Sequence, residues 1–279
     1  MHSIMERNFR ALLEAQWDKQ KFLCIGLDPS LEKIPRSIQR PSTRETITAF
    51  NRALIDATKD VAGAYKVNAA FYEAHGDEGW AALRETVEYV HEQALDLPVI
   101  LDAKRADIGS SNEGYVMGSF KHMRSDAITV QPYLGSEALE PFLSQANKGI
   151  IVLCRTSNEG SGELQDLIVD GEPLFIRVAR LVSDKWNTNK NCALVVGATY
   201  PDELRRVRAV VGDMPILIPG VGAQGGDLEK TVLAGKDARG RGFIISSSRA
   251  IIYASSGPDF AEAARAEALR TDSAIRAVL

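Results

Sequence analysis

Short runs rich in valine and isoleucine alternate with longer amphipathic stretches along the whole chain, and this rhythm constrains the fold more than any other feature. Read as strands, the runs are FLCIGLD (22–28), AYKVNAAF (64–71), PVILDAK (98–104), AITVQPY (127–133), GIIVLCRT (149–156), ALVVGAT (193–199), PILIPGV (215–221) and GFIISSSR (242–249). Helical patterns lie between them. Ile47, Phe50, Leu54 and Ala57 share one face behind a Ser42/Glu45 capping box, and Trp80, Leu83, Val87 and Val90 share another. Leu204 and Val207 follow Thr199, Pro201 and Asp202 in the same way. Strand and helix in strict alternation imply a parallel sheet closed by crossover helices.

Eight such units, a leading helix around Ile4 to Gln16 and a closing helix after Pro258 fit a (β/α)8 TIM barrel with an additional N-terminal helix. The length of 279 residues is near the roughly 250 of that fold, so residues 1–279 are expected to form a single catalytic barrel domain. An open doubly wound sheet is the alternative. It usually carries G-x-G-x-x-G after its first strand, whereas this strand ends in GLDPS. The segment 157–173, SNEGSGELQDLIVDGEP, lacks a linker's composition and follows a strand, which makes it a decorated loop.

Composition narrows the partners. Lys and Arg number 33 against 37 Asp and Glu, a formal charge of −4, and no long basic block is present, so nucleic acid and anionic membrane are not expected partners. The first twenty residues are interrupted by Glu6, Arg7, Arg10, Glu14, Asp18 and Lys19, which excludes a signal-peptide core or membrane span there. Three cysteines, Cys24, Cys154 and Cys192, make neither a disulfide framework nor a C-x-x-C site, and the reducing cytoplasm is the expected compartment. The four histidines, His2, His75, His91 and His122, show no metal-ligand spacing. A small molecule is the expected ligand.

In such a barrel, chemistry takes place at the carboxyl ends of the strands. Those ends carry Asp28, then Lys66 and Asn68, then Asp102 and Lys104 with Asp107 beyond, then Arg155 to Ser157, Gly220 to Gln224, and Arg249. In LDAKRAD the strand period puts Asp102 and Lys104 on one face, with Asp107 on the following loop. Two carboxylates bracket an ammonium and keep it charged, which suits Lys104 as a proton donor. Asp28, Lys66, Asp102 and Lys104 together form an alternating array able to bind ribose-type hydroxyls. The Gly-rich PGVGAQGGD (219–227), followed one strand later by Arg249, reads as a phosphate site in which Gln224 offers a neutral donor and Arg249 a bidentate one.

These segments resemble the orotidine 5'-phosphate decarboxylase family, in particular its longer bacterial group. The likeness runs from FLCIGLDPS through YKVNAAFYE, VILDAKRADIGSSN, LCRTSNEG and IPGVGAQGGD to SSSRAIIY. It implies decarboxylation of orotidine 5'-phosphate to uridine 5'-phosphate, the last step of de novo pyrimidine nucleotide synthesis, without metal or organic cofactor. Lys104 would protonate C6 of the pyrimidine, and Asp102 would lie against the substrate carboxylate. Asp28 and Lys66 would bind the ribose, Ser157 the pyrimidine, and Gln224 and Arg249 the phosphate. Asp107 would enter the neighbouring subunit's site, so the working unit would be a homodimer with shared active sites. Many members carry glycine where Ser248 precedes Arg249 here.

Two other readings remain. A magnesium-dependent aldolase or β-keto acid decarboxylase of the same barrel superfamily shares D-x-K-x-x-D and the phosphate loop, but would carry an acidic metal ligand where this chain has Lys66. A catalytically silent phosphate-binding barrel would have no use for Lys104 and its carboxylates. The chain is too short for an added phosphoribosyltransferase, so a monofunctional protein is expected.

Overall fold

All eight predicted runs are strands of one closed parallel barrel in the computed structural model, which describes residues 7–221 and 227–279. They are β1 (Leu23–Gly26), β2 (Ala64–Asn68), β3 (Val99–Arg105), β4 (Ala127–Val130), β5 (Gly149–Arg155), β6 (Cys192–Val196), β7 (Ile216–Pro219) and β8 (Phe243–Ser247). Each pairs with its sequence neighbours and β8 returns to β1, the topology of a (β/α)8 TIM barrel. The strands are almost wholly buried because side chains fill the barrel inside and helices cover it outside, which is why they read as continuous Val/Ile runs.

The Ser42/Glu45 capping box is present at the start of helix Thr43–Thr58, and the closing helix Phe260–Arg276 lies against that helix through stacked Phe50 and Phe260 rings 5.3 Å apart. The leading helix spans Phe9–Asp18, and the predicted start at Ile4 lies outside the described residues. Asn8 caps it by accepting the Ala11 N–H. Its first residue plugs the amino end of the barrel: a Cβ on Gly149 would come within 2.2 Å of the Phe9 ring, so only glycine lets the plug seat.

Most of the predicted runs extend past the ends of their strands, as 127–133 does beyond Val130 and 193–199 beyond Val196, and two of these differences have a clear local cause. The run 64–71 leaves the sheet at Asn68, whose side chain accepts the Ala70 N–H and caps a short helix, Ala69–Glu73. The last run ends at Ser247, and Arg249 opens the helix Arg249–Ile252. The 157–173 loop is more ordered than expected. It folds into a helical turn, Gly162–Gln165, and a two-stranded antiparallel hairpin of Ile168–Val169 with Glu172–Pro173.

Candidate active site

A cavity of about 560 Å³ lies at the carboxyl ends of the strands. Its walls differ in character. One carries Asp28, Lys66, Asp102 and Lys104 from β1 to β3; the other is apolar at Leu153, Val195 and Leu217 on β5 to β7. Ser157 and Arg249 line it as well.

The charged wall follows from register. Gly26 of β1 pairs with Lys66 of β2, and Asn68 of β2 with Asp102 of β3, so side chains on adjacent strands meet at one level. Lys66 Nζ lies 3.6 Å from Asp28 Oδ1 and 3.4 Å from Asp102 Oδ2. Lys104 Nζ lies 2.6 Å from Asp102 Oδ1. Asp28 also accepts the Asn68 N–H at 3.1 Å. The result is an alternating chain of charge, Asp28, Lys66, Asp102, Lys104.

Burial alone would push the Asp102 carboxyl upward, but Lys66 and Lys104 outweigh it and hold the pKa down at about 2. Lys66 is buried too, which disfavours its charge; the two aspartates more than compensate and raise it above the ordinary lysine value. Asp102 is therefore a carboxylate and Lys66 an ammonium across the physiological range. Lys66, already between two carboxylates, fills the place that a cation would otherwise take.

The sequence period correctly put Lys104 and Asp102 on one side, but the backbone gets there irregularly. Pairing of β3 with β4 jumps from Leu101↔Ile128 to Arg105↔Val130, and Lys104 sits inside this bulge at φ +49°. Its side chain remains 45% exposed, toward the cavity.

Asp107 does not line this chain's own cavity. Its carboxylate accepts the Ile108 N–H at 2.7 Å, while Asn112 brackets its backbone N–H and carbonyl. Gln224, expected at the phosphate, lies outside the described residues. Arg249 is exposed and, among the described residues, has no carboxylate partner. The preceding Ser248 is accommodated by β1. Its hydroxyl donates to the Gly26 carbonyl at 3.1 Å, and a Cβ on Gly26 would approach Ser248 Cβ to 2.7 Å.

Sequence reasoning placed Arg155 among the strand-end polar residues, but its side chain is only 3% exposed and holds the loop 157–173 in place. It pairs with Asp166 at 3.0 Å, bonds Ser161, and lies 4.0 Å over the Tyr200 ring. Gln165, reaching back from that loop, accepts the Thr156 N–H at 2.8 Å and lines the cavity. No local motif announces these contacts, because they depend on how the loop folds back on the end of β5, with separations from six residues to Ser161 up to eleven to Asp166 and on to Tyr200.

Among the described residues, no helix is long and apolar enough to cross a membrane. Residues 21–266 match the model of the orotidine 5'-phosphate decarboxylase / HUMPS family. Similar proteins include the orotidine 5'-phosphate decarboxylases of Cellvibrio japonicus, 50% identical over 94% of this chain and 96% of that one, and of a Janthinobacterium strain, 51% identical over 94% and 96%. Among solved structures, Leishmania donovani OMP decarboxylase superposes with a TM-score of 0.84 at 39% identity, covering 97% of this chain and 98% of that one. Leishmania donovani UMP synthase superposes at 0.86 with 40% identity, and the chain spans 56% of its length. With the full barrel matched and the charged wall in place, the chain belongs to the orotidine 5'-phosphate decarboxylase / HUMPS family.

Proposed function

We propose that the protein decarboxylates orotidine 5'-phosphate to uridine 5'-phosphate and CO2, as one catalytic barrel domain, with neither metal nor organic cofactor. The observation that carries this reading is the chain Asp28, Lys66, Asp102, Lys104 on one wall of the cavity. Arg249 and Gln224 hold the phosphate, Asp28 and Lys66 the ribose hydroxyls, and Ser157 the pyrimidine edge. The apolar wall of Leu153, Val195 and Leu217 suits a flat ring.

This pose sets the substrate carboxylate beside Asp102 and C6 beside Lys104. As the C6–carboxylate bond breaks, its electron pair stays on C6, and Lys104 gives that carbon a proton from Nζ; solvent then reprotonates the amine. The ammonium stabilises charge that develops only in the transition state, the most effective use of a fixed charge. The phosphate contacts, remote from the reacting bond, supply binding energy for assembling the site. A magnesium-dependent reading is opposed by Lys66, which already occupies the cation position between Asp28 and Asp102.

The working unit is a homodimer in which Asp107 reaches the neighbouring site. Two features favour it: the Asp107 carboxylate does not line its own cavity, and Ile108, Met117, Tyr133 and Leu134, which flank the mutually packed helices Gly109–Val116 and Gly135–Leu143, expose 63%, 44%, 86% and 45% of their surfaces. The enzyme is cytoplasmic, in keeping with three buried thiols, each raised to about 12 by burial.

The test is the ultraviolet absorbance of orotidine 5'-phosphate mixed with purified protein in excess EDTA, beside Lys104→Ala. Loss of the substrate signal with wild type alone is the expected result. No change with folded wild type would sink this reading, and activity restored by Mg²⁺ with sugar phosphates would replace it.

A further inference from the structure

Behind the charged wall, the wholly buried Thr129 of β4 touches both reacting residues and does not itself line the cavity. Its Oγ1 accepts the backbone N–H of Lys104 at 2.9 Å and donates to Asp102 Oδ1 at 2.8 Å. A hydroxyl has one proton. With the Lys104 N–H occupying a lone pair, that proton is committed to the aspartate.

The bulge explains why a side chain is needed here. Regular pairing is interrupted between Leu101 and Arg105, and the Thr129 hydroxyl supplies the acceptor for the Lys104 N–H inside the interruption. The same oxygen therefore fixes the backbone slot of Lys104, at φ +49°, and the rotamer of Asp102. Asp102 Oδ1 has two side-chain donors, Lys104 Nζ and Thr129, while Oδ2 faces Lys66. A lysine that has given up its proton loses its charge-assisted hold on Oδ1; Thr129 does not.

Resting on the decarboxylase reading, we infer that Thr129 is a positioning residue for the reaction: its hydroxyl locks Asp102 against Lys104 and keeps the carboxylate in place while the lysine discharges. It acts on turnover rather than on nucleotide binding, because it reaches the substrate only through Asp102 and Lys104.

The experiment compares wild type, Thr129→Val and Thr129→Ser in decarboxylation and in binding of uridine 5'-phosphate. Valine keeps the shape and removes the hydroxyl; serine keeps the hydroxyl. Expected is a fall in kcat of about ten- to hundredfold for Thr129→Val, the size of one hydrogen bond to a charged group, with KM and product affinity within about threefold. Thr129→Ser should recover most of the loss. Unchanged kcat in Thr129→Val, equal damage in both variants, or a parallel loss of product binding would each overturn the inference. Should Thr129→Val not fold, Thr129→Ala against Thr129→Ser gives the same contrast. Inactive wild type would instead overturn the decarboxylase reading.

Discussion

Two buried aspartates sit at opposite ends of the barrel, Asp126 just before β4 and Asp102 in the outer half of β3, and both have their pKa held at about 2. In each, burial pushes the value up and cationic neighbours push it down further. At Asp126 the neighbours are buried parts of the fold, and none faces the cavity. Arg7 Nε and Nη2 meet its two oxygens at 2.8 Å, the Val99 N–H adds another 2.8 Å bond, and His91 Nε2 lies 3.5 Å away. Arg7 is itself tied to the carbonyls of Leu95 and Leu97. At Asp102 one partner, Lys104, faces an open cavity and has donors to spare. A depressed carboxyl therefore marks a buried ion pair in either place; a charged partner that faces an open cavity marks the reactive one.

Substitution should separate the two ends. Lys104→Ala is expected to lower turnover by about a thousandfold or more, as loss of both proton donor and fixed charge requires, with the melting temperature nearly unchanged. Asp126→Ala should do the reverse. Leaving Arg7 without its buried partner costs about 3 kcal/mol, read as several degrees of Tm, while kcat per folded molecule stays near wild type. A folded but inactive Asp126→Ala protein would break the distinction.

Smaller effects sharpen it. Arg249→Ala should raise KM about ten- to hundredfold with little change in Tm, because its charge is available to a ligand; steady-state kinetics beside a thermal melt decide this. Acid provides the finest test. Since the folded pKa of Asp126 lies below the ordinary aspartate value of 3.8, its contribution is complete above that value and disappears as pH falls toward about 2. Urea unfolding between pH 5 and acid pH should show Asp126→Asn losing roughly 2 kcal/mol less stability than wild type over this interval. Equal slopes would mean that Asp126 is not the group being protonated.

Much of this was legible from residues alone, for reasons that also set the limit. A buried parallel strand must be apolar for its whole length, so eight runs located eight strands, and Ser42 with Glu45 located a helix start. Strand period put Asp102 and Lys104 on one face and chain order put Asp28 and Lys66 beside them. Periodicity could not reveal the bulge at Lys104, nor that Thr129, read only as part of a strand, would fall against it. Asn68 looked like a continuing strand because its capping role depends on the backbone turning there. The Asp126 cluster was invisible for a similar reason, since Arg7 and Asp126 are 119 residues apart.

The bulge in β3 has a bearing on how this protein could be improved. A positive φ costs a side-chain-bearing residue on the order of 1 kcal/mol, and glycine or asparagine relieves it. Position 104 is thus one where the most comfortable residue and the working residue differ. A library screened only for heat resistance should drift away from lysine there, and a consensus of its survivors would be a sturdier barrel with an empty task.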